Sequence, residues 1–185
     1  MIEGVFKNSL FPSERKHNME LRKARPEDLP EIAKIYDSAR AALNAQGVDQ
    51  WQDGYPNESS AREDICAGRG YVLVENGAVA ATACLDFGHE PTYDKVYGGQ
   101  WKGTGEYGFL HRVAVLPVCK GKGAAGLFFG ELKRLAKERG VTVLRGDTHR
   151  DNLPMQRTMA KNGFEPRGTI LLEDGSQRIA FECLL

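Results

Sequence analysis

The stretch Lys120-Gly-Lys-Gly-Ala-Ala-Gly126 says more about the fold than any other part of this 185-residue chain. It lies between a predicted buried strand, residues 107–116, and a predicted amphipathic helix over residues 123–139. Glycines let the backbone approach a ligand that a Cβ atom would block, and the N–H groups of a helix N-terminus attract anions. With Lys120 and Lys122 adding positive charge, the stretch predicts a phosphate or pyrophosphate site. The alternative is a plain glycine-rich turn with two solvated lysines.

Two known phosphate-binding motifs bear on the identity of that ligand. A Walker loop is excluded because Lys122 is followed by Gly123 and not by Ser or Thr. The glycines fit the dinucleotide fingerprint G-x-G-x-x-G, and Asp147 follows at a strand end, as ribose recognition requires. However, residues 116–120 separate the strand from the glycines, and few residues remain after Asp147 for further parallel strands. An NAD(P)-binding oxidoreductase is therefore the less favoured reading.

Patterns on both sides of the glycine stretch predict the element order β-α-α-β-β-β-α-β-α-β-β. Asp28 is expected to cap the first helix, and a capping box over residues 60–63 is expected to open the second. Asn76-Gly77 predicts a tight hairpin, and Asp151 or Asn152 is expected to cap the last helix. Because hairpins surround a central β-α-β unit, the predicted fold is α/β (α+β mixed), with a central mixed, mostly antiparallel sheet and helices on both faces.

Composition narrows the classes of partner. The chain has 25 Lys plus Arg against 25 Asp plus Glu, so its formal charge is zero, which argues against nucleic-acid binding. No apolar run approaches the roughly 18 residues of a membrane span. The four cysteines are widely spaced, which argues against a disulfide scaffold or a zinc site and favours free thiols in a reducing cytoplasm. Residues 1–18 lack the apolar core of a signal peptide and are expected to be a poorly ordered extension to a single domain, residues 19–185.

From Met19 onward, the chain resembles the GNAT superfamily of acetyl-CoA-dependent N-acyltransferases. The most specific match is residues 113–125, where the family signature [Arg/Gln]-x-x-Gly-x-[Gly/Ala] reads Lys120-Gly-Lys-Gly-Ala-Ala125. Lys replaces the usual Arg or Gln at its first position. Asn152, followed by a helix that ends in Asn162-Gly-Phe164, is similar to a second family element.

The resemblance implies acetyl-CoA as co-substrate, with no metal, and an acyl-CoA N-acyltransferase fold. The glycine-loop amides would hold the CoA pyrophosphate, the backbone of the preceding strand would pair with the pantetheine arm and polarise the thioester carbonyl, and Asn152 would also contact the cofactor. The implied cofactor-binding residues are Val113, Val115, Lys120, Gly121, Lys122, Gly123, Ala124, Ala125, Gly126 and Asn152. The implied activity is acetyl transfer to a primary amine of a small molecule or peptide by direct attack in a ternary complex. A non-catalytic acyl-CoA-binding sensor is the alternative.

Acetyl transfer to an amine needs the neutral amine, whose conjugate acid has a pKa of about 10, so a general base is expected. His111 is the first candidate because alternation along the strand gives it the same parity as Val113 and Val115. The alternative is a His packed in the sheet or paired with Glu106. Asp147 is a second catalytic candidate, and the alternative is that it caps the next helix. Met159 occupies the position where many relatives carry a Tyr that protonates the leaving thiolate, so either another group supplies the proton or CoA leaves as a thiolate.

The acceptor pocket is predicted from aromatic and polar residues in loops. Aromatic side chains in glycine-rich loops line small-molecule pockets or pack the loop down, and both readings stay open. The substrate-binding candidates are Trp51, Tyr55, Trp101 and His149. A homodimer is open, because family members often dimerise but no exposed apolar stripe predicts one here.

Overall fold

The computed structural model describes residues 19–185, so the extension predicted over residues 1–18 lies outside the described residues. Within that range, seven strands and four α-helices follow the predicted order. The strands are β1 (Met19–Lys23), β2 (Gly70–Glu75), β3 (Ala78–Phe87), β4 (Gly108–Val115), β5 (Val143–Thr148), β6 (Glu165–Leu171) and β7 (Gln177–Leu184). The helices are α1 (Leu29–Asn44), α2 (Glu58–Cys66), α3 (Ala124–Glu138) and α4 (Leu153–Lys161).

The strands form one sheet in the order β1-β2-β3-β4-β5-β7-β6. Neighbours in the described sheet pair antiparallel except β4 and β5, which pair in parallel. Helices α3 and α4 pack on one face of the sheet, and α1 and α2 pack on the other. This confirms the predicted fold class, and it disagrees with an oxidoreductase of the dinucleotide-binding type, whose sheet is mostly parallel.

The hairpin predicted at Asn76-Gly77 is present between β2 and β3. Asn76 has a φ of 52° and Gly77 a φ of 87°, the left-handed pair that a type I′ turn requires. Asn tolerates that conformation better than other residues with a Cβ atom. This local signal was therefore sufficient to predict the turn.

Asp28 is at the N-cap position of α1, as predicted, but its side chain makes no capping bond, and the predicted N-cap of α2 is wrong. The Asp28 carboxylate does not cap α1, since it binds the Arg22 guanidinium and accepts the N–H of Arg25 in the 3₁₀ turn before the helix. In α2, Asn57 is the N-cap and Ser60 is the third helical residue. Asn57 accepts the Ser60 N–H at 3.2 Å, and the Ser60 hydroxyl accepts the Asn57 N–H at 2.9 Å. The capping box therefore lies three residues before the predicted one, and the helix begins before Ser60.

The parallel pairing of β4 with β5 is short. It joins Gly108 to Leu144, Phe109 to Arg145 and Leu110 to Gly146, and then the strands separate. Beyond Leu110, this edge of β4 pairs with no other described strand. The divergence opens the sheet and exposes β4 backbone groups to a cleft.

A bulge in β4 changes which way its side chains point. Ala114 pairs with Thr82 and His111 pairs with Cys84, so two β4 residues lie opposite one β3 residue. Arg112, inside the bulge, has a φ of 54°, an uncommon conformation for a residue with a Cβ atom.

The bulge makes the predicted parity of His111 wrong. Leu110, Val113 and Val115 all pack with the core on the α3 side of the sheet. The His111 ring lies on the opposite face, with its centroid 5.1 Å from that of Phe109. Simple alternation fails because the extra residue reverses the face of every side chain after it.

The long connection between β3 and β4 is held by one buried carboxylate. Glu182 is fully buried, and it accepts the backbone N–H of Lys102 at 2.9 Å. It also accepts bonds from Arg145 at 3.3 Å and Arg167 at 3.1 Å. Because both guanidinium groups compensate the buried charge, Glu182 anchors the C-terminal part of this connection, which also carries Glu90 to the cavity wall.

Candidate active site

A cavity of about 740 Å³ occupies the cleft between the diverging strands. This volume is within the usual range of small-molecule sites. The glycine loop, residues 120–126, forms one end, and residues 49–53 of the α1–α2 connection line the other. The β4 residues 110–115 run along the wall between these ends.

The glycine loop owes its shape to backbone conformation. Gly121 has a φ of 78° and Gly123 a φ of 81°, both in the left-handed region that favours glycine. A Cβ atom built at either position meets nothing within 4 Å. Glycine is therefore required here by the turn and not by lack of space.

The N-terminus of α3 is left open to a ligand. Gly123 is its N-cap and supplies no side-chain hydrogen bond. Within residues 19–185, no acceptor takes the N–H groups of Ala124, Ala125 or Gly126. These donors, the helix dipole and the adjacent Lys120 fit a diphosphate. Lys122 is exposed but does not line the cavity.

The β4 edge offers a second set of main-chain groups. Val113 and Val115 both line the cavity, and their strand has separated from β5 at this level. A substrate arm carrying amide groups can add to such an edge as a strand would. The backbone positions predicted from the resemblance are therefore accessible.

His111 lies in a cluster of polar groups on the cavity wall. Its Nε2 is 3.8 Å from a carboxylate oxygen of Glu90 and 3.5 Å from the Tyr93 hydroxyl. The Tyr93 hydroxyl donates a hydrogen bond to Asp147 at 2.9 Å. Glu106, the partner considered from sequence, is exposed, and Glu90 takes its place because the 3₁₀ turn Pro91–Tyr93 brings it inward.

Burial controls the protonation of this cluster. Burial lowers the pKa of His111, although Asp147 and Glu90 oppose that shift. Burial also raises the pKa of Asp147, and it raises that of Tyr93 well above its usual range. A neutral imidazole is therefore favoured near neutral pH, while Tyr93 keeps its proton and donates a hydrogen bond to the Asp147 carboxylate.

Two of the four predicted acceptor residues line the cavity, namely Trp51 and Tyr55. Trp101 does not, since its indole N–H donates to the Tyr93 carbonyl at 2.8 Å and its ring packs under the Arg145 guanidinium. Trp101 therefore packs the loop down and does not line the pocket, which is the second of the two interpretations of aromatic side chains in glycine-rich loops.

His149 also lies outside the cavity lining. Its Nδ1 accepts the backbone N–H of Asp151 at 3.2 Å, within the turn that precedes α4. This local bond engages the ring within the turn, and the substrate-binding role of His149 stays a prediction.

Asn152 is the N-cap of α4, one of the two residues predicted for that position. Its Oδ1 accepts the Met155 N–H at 3.2 Å, and its Nδ2 donates to Gln50 at 3.0 Å. Both polar atoms of the side chain are therefore engaged within the protein. Met159, about two helical turns later, is buried among apolar residues and lines the cavity without a proton to donate.

Arg112 is a cavity residue that sequence reasoning missed. Its guanidinium makes two bonds to the buried Asp64 carboxylate, at 2.7 and 2.6 Å, and a third to the Tyr55 hydroxyl. An acidic residue on the inward face of the short α2 helix was the available signal. The partner was not identifiable because the bulge sets the direction of Arg112.

Cys119 precedes the glycine loop but is not activated for covalent chemistry. Its thiol donates to Glu75 at 3.5 Å, and burial raises its pKa, so the thiol form is favoured over the thiolate. Among residues 19–185, no cluster of His, Cys, Asp and Glu is arranged to hold a metal ion. None of the described helices has the length and apolar character needed to cross a membrane.

A family model and a solved structure that match this chain are both described as belonging to the same family. The family model described as acetyltransferase (GNAT) family matches residues 32–164. A GNAT-family acetyltransferase from Streptococcus agalactiae 2603 is 33% identical with a TM-score of 0.81, over 90% of this chain and 95% of that one. A GNAT-family acetyltransferase from Listeria monocytogenes 4b F2365 shares the fold at 19% identity and a TM-score of 0.67, over 90% and 95%.

The PaiA N-acetyltransferase of Thermoplasma acidophilum, solved in complex with coenzyme A, also shares the fold. It is 15% identical with a TM-score of 0.67, over 90% of this chain and 99% of that one. The search of curated protein sequences gave no match.

Proposed function

Because the chain belongs to the GNAT acetyltransferase family, we propose that it is an acetyl-CoA-dependent N-acetyltransferase. Its acceptor is a primary amine of a small molecule or peptide, which attacks directly in a ternary complex. One observation carries this proposal: a single cavity joins the open N-terminus of α3 to the His111 cluster. An anion-holding end and a basic group on one cavity wall are what acetyl transfer to an amine requires.

The main chain serves the acyl donor. Backbone N–H groups of residues 124–126 and the Lys120 ammonium hold the phosphates of CoA. The free edge of β4 at Val113 and Val115 aligns the pantetheine arm, and its N–H groups stabilise the charge that develops on the carbonyl oxygen. Bound acetyl-CoA supplies an activated acetyl group as a thioester.

Side chains serve the acceptor. His111 takes a proton from the acceptor ammonium, directly or through a water molecule, and leaves a lone pair for attack on the carbonyl carbon. Glu90 and Asp147 stabilise the imidazolium that results, since their carboxylates face the ring. Met159 offers no proton to the leaving group. The C–S bond breaks as the amide forms, and a thiol whose pKa is about 8.5, like that of Cys, can leave as the thiolate. The attacking nitrogen loses its second proton to that thiolate or to solvent.

A panel of amines tests this activity. Release of CoA is followed with DTNB, and binding of CoA, acetyl-CoA and NAD(P) is followed by thermal shift. Stabilisation by CoA together with turnover of at least one amine supports the proposal. CoA binding without turnover of any amine would indicate the acyl-CoA sensor, which the absence of an acid at Met159 favours, and stabilisation by NAD(P) alone would refute CoA binding.

A further inference from the structure

Gln50 is a buried amide at the acceptor end of the cavity. Only 8% of the residue is exposed, and it lines the cavity. Its Oε1 accepts the Asn152 Nδ2 at 3.0 Å, the His149 backbone N–H at 3.3 Å and the Thr148 hydroxyl at 3.3 Å. Because an amide N–H can only donate, these bonds fix the oxygen of Gln50 toward α4.

The nitrogen of the same amide has no acceptor in the part of the chain that the structure describes. Gln50 Nε2 donates to no backbone or side-chain group of residues 19–185. Although the residue is buried, Nε2 is not sealed from the cavity, because the fully buried side-chain polar atom without a partner in residues 19–185 is the Ser176 hydroxyl oxygen. A donor that faces a cavity without a protein partner is available to a ligand or an ordered water. Since three bonds hold the oxygen side, the donor is pre-oriented toward the cavity.

The Gln50 donor lies beside the residue that was predicted, from the resemblance, to contact the cofactor. Asn152 was expected to contact the cofactor, but its oxygen caps α4 and its nitrogen is bound to Gln50. Gln50 therefore presents the available side-chain amide at the corner where β5 ends and α4 begins. Gln50 comes from the α1–α2 connection, so spacing along the sequence gave no sign of it.

We propose that Gln50 Nε2 donates a hydrogen bond to a carbonyl-type oxygen of a bound substrate, an inference that rests on the proposed acetyl transfer. Two sources have this chemistry: an amide carbonyl of the pantetheine arm, and a carbonyl or carboxylate oxygen of the acceptor. Both groups would bind in the cavity that Gln50 lines. The Kd for CoA and the KM for the amine distinguish them.

The test is the Gln50→Glu variant, which keeps an oxygen for Asn152, His149 and Thr148 but replaces the donor by an acceptor. Its Kd for CoA is measured by calorimetry, and the KM for the best amine is measured at saturating acetyl-CoA. We expect about a tenfold increase in one constant, as the loss of a buried hydrogen bond gives. A higher Kd identifies the pantetheine carbonyl as the acceptor, and a higher KM with unchanged Kd identifies the amine substrate.

Gln156→Glu is the matched control, because it makes the same charge change beside His149 but lies outside the cavity lining. We expect both of its constants to stay within twofold of wild type. Should Gln50→Glu fail to fold in a thermal melt, Gln50→Met removes the donor without adding charge, and the same loss is expected. Because Met also removes the acceptor of Asn152, His149 and Thr148, the loss is assigned to the donor only when the melting temperature of the variant equals that of wild type.

A folded Gln50 variant with both constants within twofold of wild type overturns the assignment. If the wild-type chain binds CoA but acetylates no amine, the proposed function fails separately. The calorimetric measurement then decides alone, and an unchanged Kd overturns the role of Gln50.

Discussion

The two ends of the cavity are built in different ways. The proposed cofactor end presents main-chain groups from within one continuous stretch, residues 113–126. The acceptor end uses side chains from distant parts of the chain, among them Gln50, Glu90, His111 and Asp147. Main-chain chemistry tolerates sequence change as long as the backbone keeps its path, whereas side-chain chemistry depends on each residue. We therefore expect the first end to be sensitive to substitutions that change backbone conformation, and the second end to be sensitive to the loss of individual side chains.

The largest effect is expected at the acceptor end, in His111→Ala. Removing a general base lowers kcat by about 10²–10⁴-fold, while the Kd for CoA stays within about twofold because the main chain holds the cofactor. DTNB rates and calorimetry measure the two constants. A kcat close to that of wild type would show that His111 is only packed in the sheet.

The pH profile sharpens the same point. Burial lowers the pKa of His111, so the neutral, active imidazole persists below its usual value of about 6.5. Activity should fall as pH decreases, with the midpoint of the acid limb below that value. His111→Ala should remove this limb. If the limb survives, the proton acceptor is Asp147, whose pKa burial raises.

Stability should also depend on acceptor-end side chains. Asp64→Ala leaves the buried Arg112 guanidinium without its carboxylate partner and also removes the Asp64 bond to Arg69, which together lower the free energy of unfolding by about 3–5 kcal/mol. Urea unfolding measures the change. Glu58→Ala is the control on the same helix, since its pair with Arg62 is exposed and is worth about 1 kcal/mol or less. Equal losses in the two variants would mean that the buried Asp64–Arg112 pair stabilises the fold no more than the exposed Glu58–Arg62 pair does.

The cofactor end should respond to backbone conformation. Gly123→Ala places a Cβ atom in a left-handed conformation, which costs about 1–2 kcal/mol and should weaken CoA binding by about tenfold. Gly130 is a matched control, because it lies inside α3 with open space around it. Gly130→Ala should raise the free energy of unfolding by up to about 1 kcal/mol and leave CoA binding unchanged. Unchanged binding in Gly123→Ala would contradict a main-chain site.

The smallest effect is expected from the lysines of the glycine loop. Lys120→Ala should raise the Kd for CoA by about two- to fivefold, because an exposed charge contributes little in water. Lys122→Ala should have a smaller effect, since Lys122 does not line the cavity. Both differences should shrink at high salt. An effect of Lys122 larger than that of Lys120 would contradict this geometry.

Local signals predicted much of the fold. Asn76-Gly77 was sufficient to predict the hairpin because its turn needs residues in the left-handed conformation. Asp151 and Asn152 were both predicted as possible caps of α4, and Asn152 is the N-cap. The Asp28 side chain makes no capping bond because Arg22, from a different element, binds that carboxylate. Trp101 looked like a pocket residue, but it packs under Arg145, whose position depends on the buried Glu182.

The sequence by itself determined the cofactor end. Glycines at positions 121 and 123, next to a predicted helix, fix a left-handed turn and an open helix N-terminus through local sterics alone. Only the tertiary structure decided the acceptor end. The β4 bulge at Arg112 places His111 on the opposite face from Val113 and Val115, and the β3–β4 connection, whose Lys102 N–H is bound by Glu182, carries Glu90 to within 3.8 Å of the ring. These contacts join residues far apart in the chain, so no local pattern encodes them.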